Sequence, residues 1–274
     1  MIERQMSYNL PFDQYRSITA INASSIAAGR KSMRHMHDAM TSSKPATPAM
    51  MLGTQAHYIV LEGGKGVAQC DARRGSTEWK DAVKSAGSES LVMKSADYER
   101  IMRMRERVEQ SSDAMWLLDK SAKEVSGFWS GDYGDGKIRL DMLGDSFIGD
   151  YKTTSDATPS AFFATAERLG YHVKMGWYRH GIRSIRKDDL EVYLLVQETS
   201  APYDCYVCHM PRQIVEQGEE EAIRIAKQYH VSQICGSFAG LADGIIEYQR
   251  PAWATGKDDG EVDISDGEME ASEL

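Results

Sequence analysis

The stretch KIRLDMLGDSFIGDYKTT, residues 137–154, decides the fold of this chain. It predicts two short strands joined by a Gly-Asp-Ser turn, with Asp141 on the first strand and Asp150 and Lys152 on the second. Because side chains two positions apart in a strand point the same way, Asp150 and Lys152 share one face of the sheet. The intervening residues are expected to point the other way: Ile138, Leu140 and Met142 on the first strand, and Phe147, Gly149 and Tyr151 on the second.

Two carboxylates and one lysine on adjacent strands form a compact site for a hard divalent cation, which prefers oxygen ligands and can sit against a phosphate. A lysine beside such a cation can orient or deprotonate an attacking water. This residue set therefore suits metal-dependent phosphodiester hydrolysis. The alternative is a solvated strand face, because Asp-x-Lys is a common pattern.

Length and composition place the chain among soluble globular proteins. It has 274 residues, of which 42% are hydrophobic and 27% charged, enough for one large domain with a substantial core. No run approaches the roughly 20 apolar residues that span a bilayer, and the N-terminal residues lack a signal-peptide pattern. We expect a cytoplasmic protein with no membrane association.

The chain's four cysteines are Cys70, Cys205, Cys208 and Cys235. Cys205 and Cys208 form a C-x-x-C, but the surrounding DCYVCHM has the pattern of a strand, in which positions three apart point to opposite faces. The other spacings do not match a zinc or iron–sulfur site. We therefore expect reduced, partly buried thiols.

Patterning predicts helices interleaved with strands. Helices are expected over 17–40, 49–63, 95–110, 159–183 and 213–229, the third with Ser95 as its N-cap. Strands are expected over 124–130, 190–197 and 204–210, in addition to the central pair. Residues 67–91 are expected to be irregular. This order favours an α/β layer fold with a mixed sheet.

Further candidate residues lie outside the central strands. His57 is on a helix with mostly apolar neighbours, and Glu124 is at the entrance to a strand. Tyr171, Lys174 and Tyr178 share one helical face, which suits contact with phosphates and bases. Alternative interpretations remain open: a hydrogen-bonded core histidine, a solvated glutamate and a solvated amphipathic helix.

Together these pieces resemble the PD-(D/E)xK nuclease superfamily and, within it, the RecE-type phage exonucleases. The resemblance rests on the order of five elements, which extend over residues 17–253. They are Gly53 to His57 on a helix, Glu124 before a strand, Arg139-Leu140-Asp141, Asp150-Tyr151-Lys152-Thr153, and a helix with Tyr171 and Tyr178. It implies an α/β restriction-endonuclease-like core, with a central mixed β-sheet flanked by helices.

The resemblance also implies roles for these residues. Asp141 and Asp150 would hold Mg²⁺, for which Mn²⁺ would substitute, with His57 and the Tyr151 carbonyl completing the shell. Lys152 would orient and activate water, and Glu124 would hold a second metal's water or position the terminal phosphate. Contacts to DNA would come from Arg139, Tyr171, Lys174 and Tyr178. Lys174 departs from the family pattern, which has Gln there; an ammonium cannot accept a hydrogen bond.

The implied function is exonucleolytic digestion of linear double-stranded DNA, 5′ to 3′, leaving 3′ overhangs for phage-type recombination. The implied partners are DNA ends, further copies of the chain in a trimeric or tetrameric ring, and a single-strand annealing protein. If the chain is phage-encoded, it would act in the host cytoplasm. Alternatives are a RecB-like or Cas-associated nuclease, and a non-catalytic protein that binds DNA ends.

The net charge of −9 is concentrated at the C-terminus. We expect the exonuclease domain to occupy residues 1–253 and an acidic, disordered tail to occupy residues 254–274. Residues 258–274 carry eight acidic and no basic side chains, which leaves 33 acidic and 32 basic residues elsewhere. The tail is either a solubilising end, or a tether or DNA-mimicking gate for a basic surface.

Overall fold

The computed structural model of the chain describes residues 2–42, 45–87 and 91–250. Two compact units are distinguished, Met1–Leu241 and Ala242–Leu274, and the helices and strands named below all lie in the first. The predicted boundary at residue 253 and the predicted acidic tail lie outside the described residues. Within the described ranges, none of the helices combines the length and apolarity needed to cross a bilayer.

A six-stranded sheet forms the centre of the first unit, in the order β1-β4-β5-β6-β7-β8. Its strands are β1 (Gln5–Ser7), β4 (Ser121–Gly131), β5 (Gly134–Gly144), β6 (Phe147–Thr154), β7 (Glu191–Glu198) and β8 (Cys205–Met210). The β6–β7 pair is parallel and its neighbours are antiparallel, so the sheet is mixed. A smaller parallel pair joins β2 (Val67–Gln69) to β3 (Leu91–Met93).

Most of the helices lie between β1 and β4 in the chain, and the others connect or follow the later strands. The first group comprises α1 (Phe12–Ser17), α2 (Ala23–Gly29), α3 (Met33–Thr41), α4 (Pro48–Val60), α5 (Thr77–Ala86), α6 (Ser95–Glu109) and α7 (Ser112–Asp119). The second comprises α8 (Pro159–Leu169), α9 (Tyr171–Ile185) and α10 (Arg212–Cys235). Parallel strands need a long crossover, and α8 and α9 supply it between β6 and β7.

The two faces of the sheet pack against different helices. On one face, Ile148 and Leu194 join side chains of α2, α3, α8, α9 and α10 in a large apolar cluster. On the other, Phe147 and Tyr151 join side chains of α4, α6 and α7. The predicted alternation along β6 is therefore confirmed. With one apolar layer on each side of a mixed sheet, the predicted α/β restriction-endonuclease-like architecture is also confirmed.

Several predicted boundaries are wrong. The helix expected over 159–183 is divided at Gly170, whose φ of 67° ends α8 in the left-handed conformation that glycine adopts without a steric cost. The helix expected over 17–40 is divided into α2 and α3, each with its own side-chain N-cap. Residues 67–91 contain α5 and β2, and the N-cap of α6 is Lys94 instead of Ser95.

Candidate active site

The site forms where β5 loses its regular pairing on both sides of Asp141. On the β4 side, pairing joins Lys123 to Met142 and Val125 to Leu140, but no pair joins Glu124 to Asp141. Glu124 has a φ of 53°, a left-handed conformation that costs a non-glycine residue roughly 1–3 kcal/mol. The strand is therefore distorted where two carboxylates meet.

On the other side of β5, pairing with β6 is limited to Met142–Gly149 and Leu143–Ile148 among the described residues. The two strands separate before they reach Asp141 and Asp150. The Tyr151 backbone N–H instead donates to Asp141 Oδ2, at 2.8 Å. The gap between the strands thus holds the Asp141 carboxylate against the backbone of β6.

This distortion explains one wrong prediction about side-chain direction. Ile138 and Leu140 pack in the cluster on one face of the sheet, as expected, but Met142 packs in the cluster on the opposite face. The alternation reverses between Leu140 and Met142, where the Glu124–Asp141 pair is missing and Glu124 has a left-handed φ. Period-two reasoning cannot anticipate this reversal, because it assumes an unbroken strand.

Helix α4 delivers His57 to the gap in the sheet. Thr47 caps the helix and Pro48 occupies its first turn. His57 Nε2 lies 2.9 Å from the Tyr151 carbonyl oxygen, and its Nδ1 lies 3.5 Å from Asp141 Oδ2. Its imidazole therefore contacts two groups that the family resemblance implies as metal ligands, and the role of His57 as a further ligand stays a prediction.

His57, Glu124 and Asp141 each offer a ligand atom within 4.8 Å of the others. Burial raises the pKa of the Glu124 carboxyl, and the charge of Asp141 raises it further. The Arg139 guanidinium opposes this, since its Nε donates to Glu124 Oε2 at 2.7 Å. The charge of Asp141 thus disfavours ionisation of Glu124, a repulsion that a bound cation would relieve.

Asp150 and Lys152 form a second part of the site. The Asp150 carboxylate is 2% exposed and contacts the Lys152 ammonium. The atom that the ammonium contacts is Oδ2, which accepts no other hydrogen bond among the described residues. Burial lowers the pKa of Lys152 to about 8; the charge of Asp141 opposes that shift, and the charge of Lys174 adds to it.

The predicted face of α9 lies beside this pair. The ammonium groups of Lys152 and Lys174 are 5.0 and 5.1 Å from the centre of the Tyr171 ring. Tyr178 lines the neighbouring groove, and burial raises its pKa well above the ordinary value, with the charge of Asp141 adding to the effect. Lys174 therefore adds a positive charge next to Lys152, where the family pattern has an amide.

The donor set fits a divalent metal. It combines carboxylate oxygens, one imidazole and a backbone carbonyl, which are ligands that such ions accept. Asp150 does not belong to the group formed by His57, Glu124 and Asp141. The assignment of individual residues as ligands stays a prediction.

Reasoning from the sequence missed Glu62. This glutamate is exposed at the edge of the same groove, where partial loss of solvent raises its pKa. The charges of Glu124 and Asp141 raise the pKa further, and the charge of Arg139 opposes them. It follows Leu61, the C-cap of α4, so helical spacing from His57 no longer fixes its direction. Its position at the C-terminal end of α4, just before Gly63-Gly64, could have drawn attention to it. A negative charge there is unfavourable for the helix dipole, so a role other than helix stabilisation is indicated.

We call His57, Glu124 and Asp141 the metal-ligand group. A groove of about 1480 Å³ opens beside it. His57, Glu124, Arg139, Asp141 and Tyr178 line it, together with the N-terminal segment before β4. Arg139, predicted to contact DNA, is already engaged: its Nη1 donates to the Leu10 carbonyl and to Ser126 Oγ, in addition to the Glu124 contact.

Cys70, Cys205 and Cys208 are partly buried free thiols, as predicted, whereas Cys235 is exposed. Cys205 packs with the cluster on one face of the sheet and Cys208 with the cluster on the other. Within the described ranges, no cysteine belongs to a group of potential metal ligands.

Fold and site together define a PD-(D/E)xK-type domain, and comparisons with known proteins agree. The chain belongs to the family of PDDEXK-like domains of unknown function (DUF3799), whose model matches residues 17–234. A crystal structure of a "Putative exonuclease" from Eubacterium rectale is similar in fold, with a TM-score of 0.61 and 13% sequence identity. The match covers 92% of this chain and 100% of that one. Among curated proteins, none matches this sequence significantly.

Proposed function

We propose that the chain is a Mg²⁺-dependent exodeoxyribonuclease that digests linear double-stranded DNA from its ends. The observation that carries the proposal is the meeting of His57, Glu124 and Asp141 at a break in the sheet, next to the buried Asp150–Lys152 pair. Membership of a PDDEXK-like family supports nuclease chemistry at that place. A groove beside it offers room for a nucleic-acid strand.

Lys152 is the candidate group for accepting a proton from water. Its pKa of about 8 leaves a useful neutral fraction near physiological pH, as a general base requires. As the water oxygen forms a bond to phosphorus, its proton passes to Lys152 Nζ, and the phosphorus–oxygen bond to the leaving nucleotide breaks. Bound Mg²⁺, held by Asp141, Asp150, His57 and the Tyr151 carbonyl, would supply Lewis-acid stabilisation of the developing charge.

Lys174 and Tyr178 are the candidate contacts to phosphate. The raised pKa of Tyr178 keeps its phenol protonated, so that it can donate a hydrogen bond to a phosphate oxygen. Lys174 contributes a positive charge beside Lys152 and Tyr171. Arg139 acts differently in this scheme, because its contact with Glu124 positions that carboxylate.

Attack from DNA ends with 5′ to 3′ polarity, a ring of three or four copies, and a single-strand annealing partner are parts of the proposal that rest on the family resemblance. The similar structure from Eubacterium rectale carries an exonuclease description, which is consistent with attack from ends. Light scattering of the purified chain tests the ring: a trimeric or tetrameric mass is expected, and a monomer would rule it out.

The test of function compares two DNA forms. The full chain is incubated with end-labelled linear duplex and with closed-circular duplex, each with magnesium and with a chelator. We expect loss of linear duplex in magnesium alone, with 3′ overhangs and an intact circle. Cleavage of the circle at the same rate would indicate an endonuclease, and absence of cleavage in magnesium would leave a DNA-end-binding protein.

A further inference from the structure

The N-terminal helix α1 presents an exposed aromatic ring to the groove beside the metal-ligand group. Phe12 is 54% exposed although it is large and apolar, and it lines the groove together with Tyr15 and Arg16. Aromatic rings alternating with cations are the usual composition of surfaces that bind single-stranded nucleic acid. The question is whether Phe12 is needed to hold α1 in place or is free to contact a ligand.

The attachment of α1 does not depend on Phe12. Lys137 Nζ donates to the backbone carbonyls of Tyr15 and Ile18, at 2.9 and 2.6 Å, and Arg139 Nη1 donates to that of Leu10, at 2.9 Å. Tyr15 is the buried residue of the helix. Lys137 and Arg139 on β5 and the buried Tyr15 therefore attach the helix to the sheet, while the Phe12 ring remains about half exposed.

The surroundings of Phe12 suit stacking. The guanidinium carbons of Arg16 and Arg139 lie 5.9 and 5.7 Å from its ring centre. The ring stacks on Tyr15 at 6.5 Å, with an interplanar angle of 20°. A flat apolar group on this ring would gain aromatic contact and the neighbouring positive charge, as a nucleobase attached to a phosphate chain does.

Arg139 connects this ring to the candidate metal site. The same guanidinium that lies over Phe12 donates to Glu124 Oε2 at 2.7 Å. One side chain thus separates the Phe12 ring from a carboxylate of the metal-ligand group. A strand whose phosphate reaches that group would bring one of its neighbouring bases close to Phe12.

We propose that Phe12 is a positioning residue that stacks on the base at the end of a DNA strand. Bases inside a duplex already have neighbours on both faces, whereas the base at a strand end has one free face. The ring therefore favours DNA ends over interior sequence. This inference rests on the proposed nuclease function and adds to it the feature of the substrate that α1 recognises.

The test uses Phe12→Ala, Phe12→Leu and Phe12→Trp in the full chain, with Phe163→Ala as a matched control. Phe163 is 51% exposed and lies on α8, and it is not among the described residues that line the groove. The first readout is kcat and KM on linear duplex in magnesium. The second is the fluorescence quenching of 2-aminopurine at the strand terminus, measured with calcium in place of magnesium. A second substrate lacks the terminal base.

Phe12→Ala and Phe12→Leu should raise KM by about 5- to 100-fold, the range for losing one stacked base, with kcat nearly unchanged. They should abolish the terminal quenching, whereas Phe12→Trp and Phe163→Ala should behave as the original protein. Removing the terminal base should raise the KM of the original protein by the same factor and leave that of Phe12→Ala unchanged.

Three other outcomes would overturn one or both proposals. If the original protein cleaves linear DNA and both Phe12→Ala and Phe12→Leu match it, the stacking role is overturned and the nuclease function stands. If Phe12→Ala raises KM by the same factor on ends with and without the terminal base, the stacking role is also overturned. Phe12 would then contact something other than that base, such as a second copy of the chain. A folded protein that neither binds nor cleaves DNA overturns both proposals.

Discussion

Two groups of ionisable side chains in this protein use the same residue types but are balanced in opposite ways. In the α9–α10 cluster, Glu219 contacts Arg179 Nη1 at 2.5 Å, Arg183 Nη1 at 3.2 Å and His180 Nδ1 at 3.3 Å. Burial acts to raise the pKa of Glu219, but the hydrogen bond from His180 and the charges of the two arginines lower it overall. These neighbouring cationic groups compensate the negative charge of the Glu219 carboxylate.

The site between β4, β5 and β6 lacks that balance. Glu124 and Asp141 face one arginine and one histidine, and the pKa of Glu124 is raised by burial and by Asp141 despite Arg139. A buried carboxylate surrounded by several cationic groups stabilises a fold, whereas two converging carboxylates that share one arginine are typical of a place that receives a cation. The difference separates a structural cluster from a functional one, and each prediction below tests it.

The largest effect is expected at Asp141. Asp141→Asn keeps the shape of the side chain but removes a negative charge from the metal-ligand group, so cleavage should fall on the order of 1,000-fold, as on losing a group that stabilises the transition state. The matched control is Asp145→Asn, the same change at an exposed position in the turn of the same hairpin. Near-native cleavage by Asp141→Asn, measured on end-labelled linear duplex, would refute the site.

Glu219 should govern stability instead of activity. Glu219→Ala removes the shared partner of two arginines and a histidine. Because Arg179 keeps Asp189 and Glu216, the change should cost about 1–3 kcal/mol of unfolding free energy. The control Glu216→Ala removes a more exposed partner of Arg179 and should cost about 0–1 kcal/mol. Urea unfolding measures both. An unchanged unfolding midpoint for Glu219→Ala would show that this cluster is not structural.

The pH dependence should report Lys152. Because the neutral amine is the form that accepts a proton and its pKa is about 8, kcat/KM should rise up to about tenfold per pH unit below that value and level off above it. Lys152→Arg, whose side chain stays protonated, should lose both the activity and the rise. A profile that is flat or falls between about pH 6.5 and 8 would argue against Lys152 as the base.

The smallest effect is expected at Glu62. Its carboxyl lies in the field of Glu124 and Asp141 without belonging to the metal-ligand group, so Glu62→Gln should raise the magnesium concentration for half-maximal cleavage by about tenfold. Saturating magnesium should restore the rate. Glu99→Gln on α6, also exposed, is the control. A lower rate that magnesium fails to restore would instead place Glu62 in the chemistry.

Much of the architecture could be predicted from local pattern. The alternation of Ile148 and Tyr151 across β6 confirms period-two reasoning, and the helix containing His57 confirms reasoning from apolar spacing. The short helices α5 and α7 were missed because brief elements carry a weak periodic signal. Gly170 was a readable stop signal, since glycine commonly ends a helix.

The site was less accessible to such reasoning. The sequence indicates that Asp141, Asp150 and Lys152 are close, but the separation of β5 from β6 and the φ of Glu124 arise from tertiary packing. Those two distortions place Asp141 with His57 and Glu124, whereas the pairing of Asp150 with Lys152 follows from their two-residue spacing on β6. Local pattern identifies which residues take part, and three-dimensional packing decides how they are grouped.

The central claim is that this cluster of carboxylates and imidazole binds a divalent cation, and Mn²⁺ titration followed by electron paramagnetic resonance tests it without DNA. The full chain and Asp145→Asn should bind Mn²⁺ equally, and Asp141→Asn should bind it at least about tenfold more weakly. Equal Mn²⁺ binding by Asp141→Asn and the original chain would contradict the account.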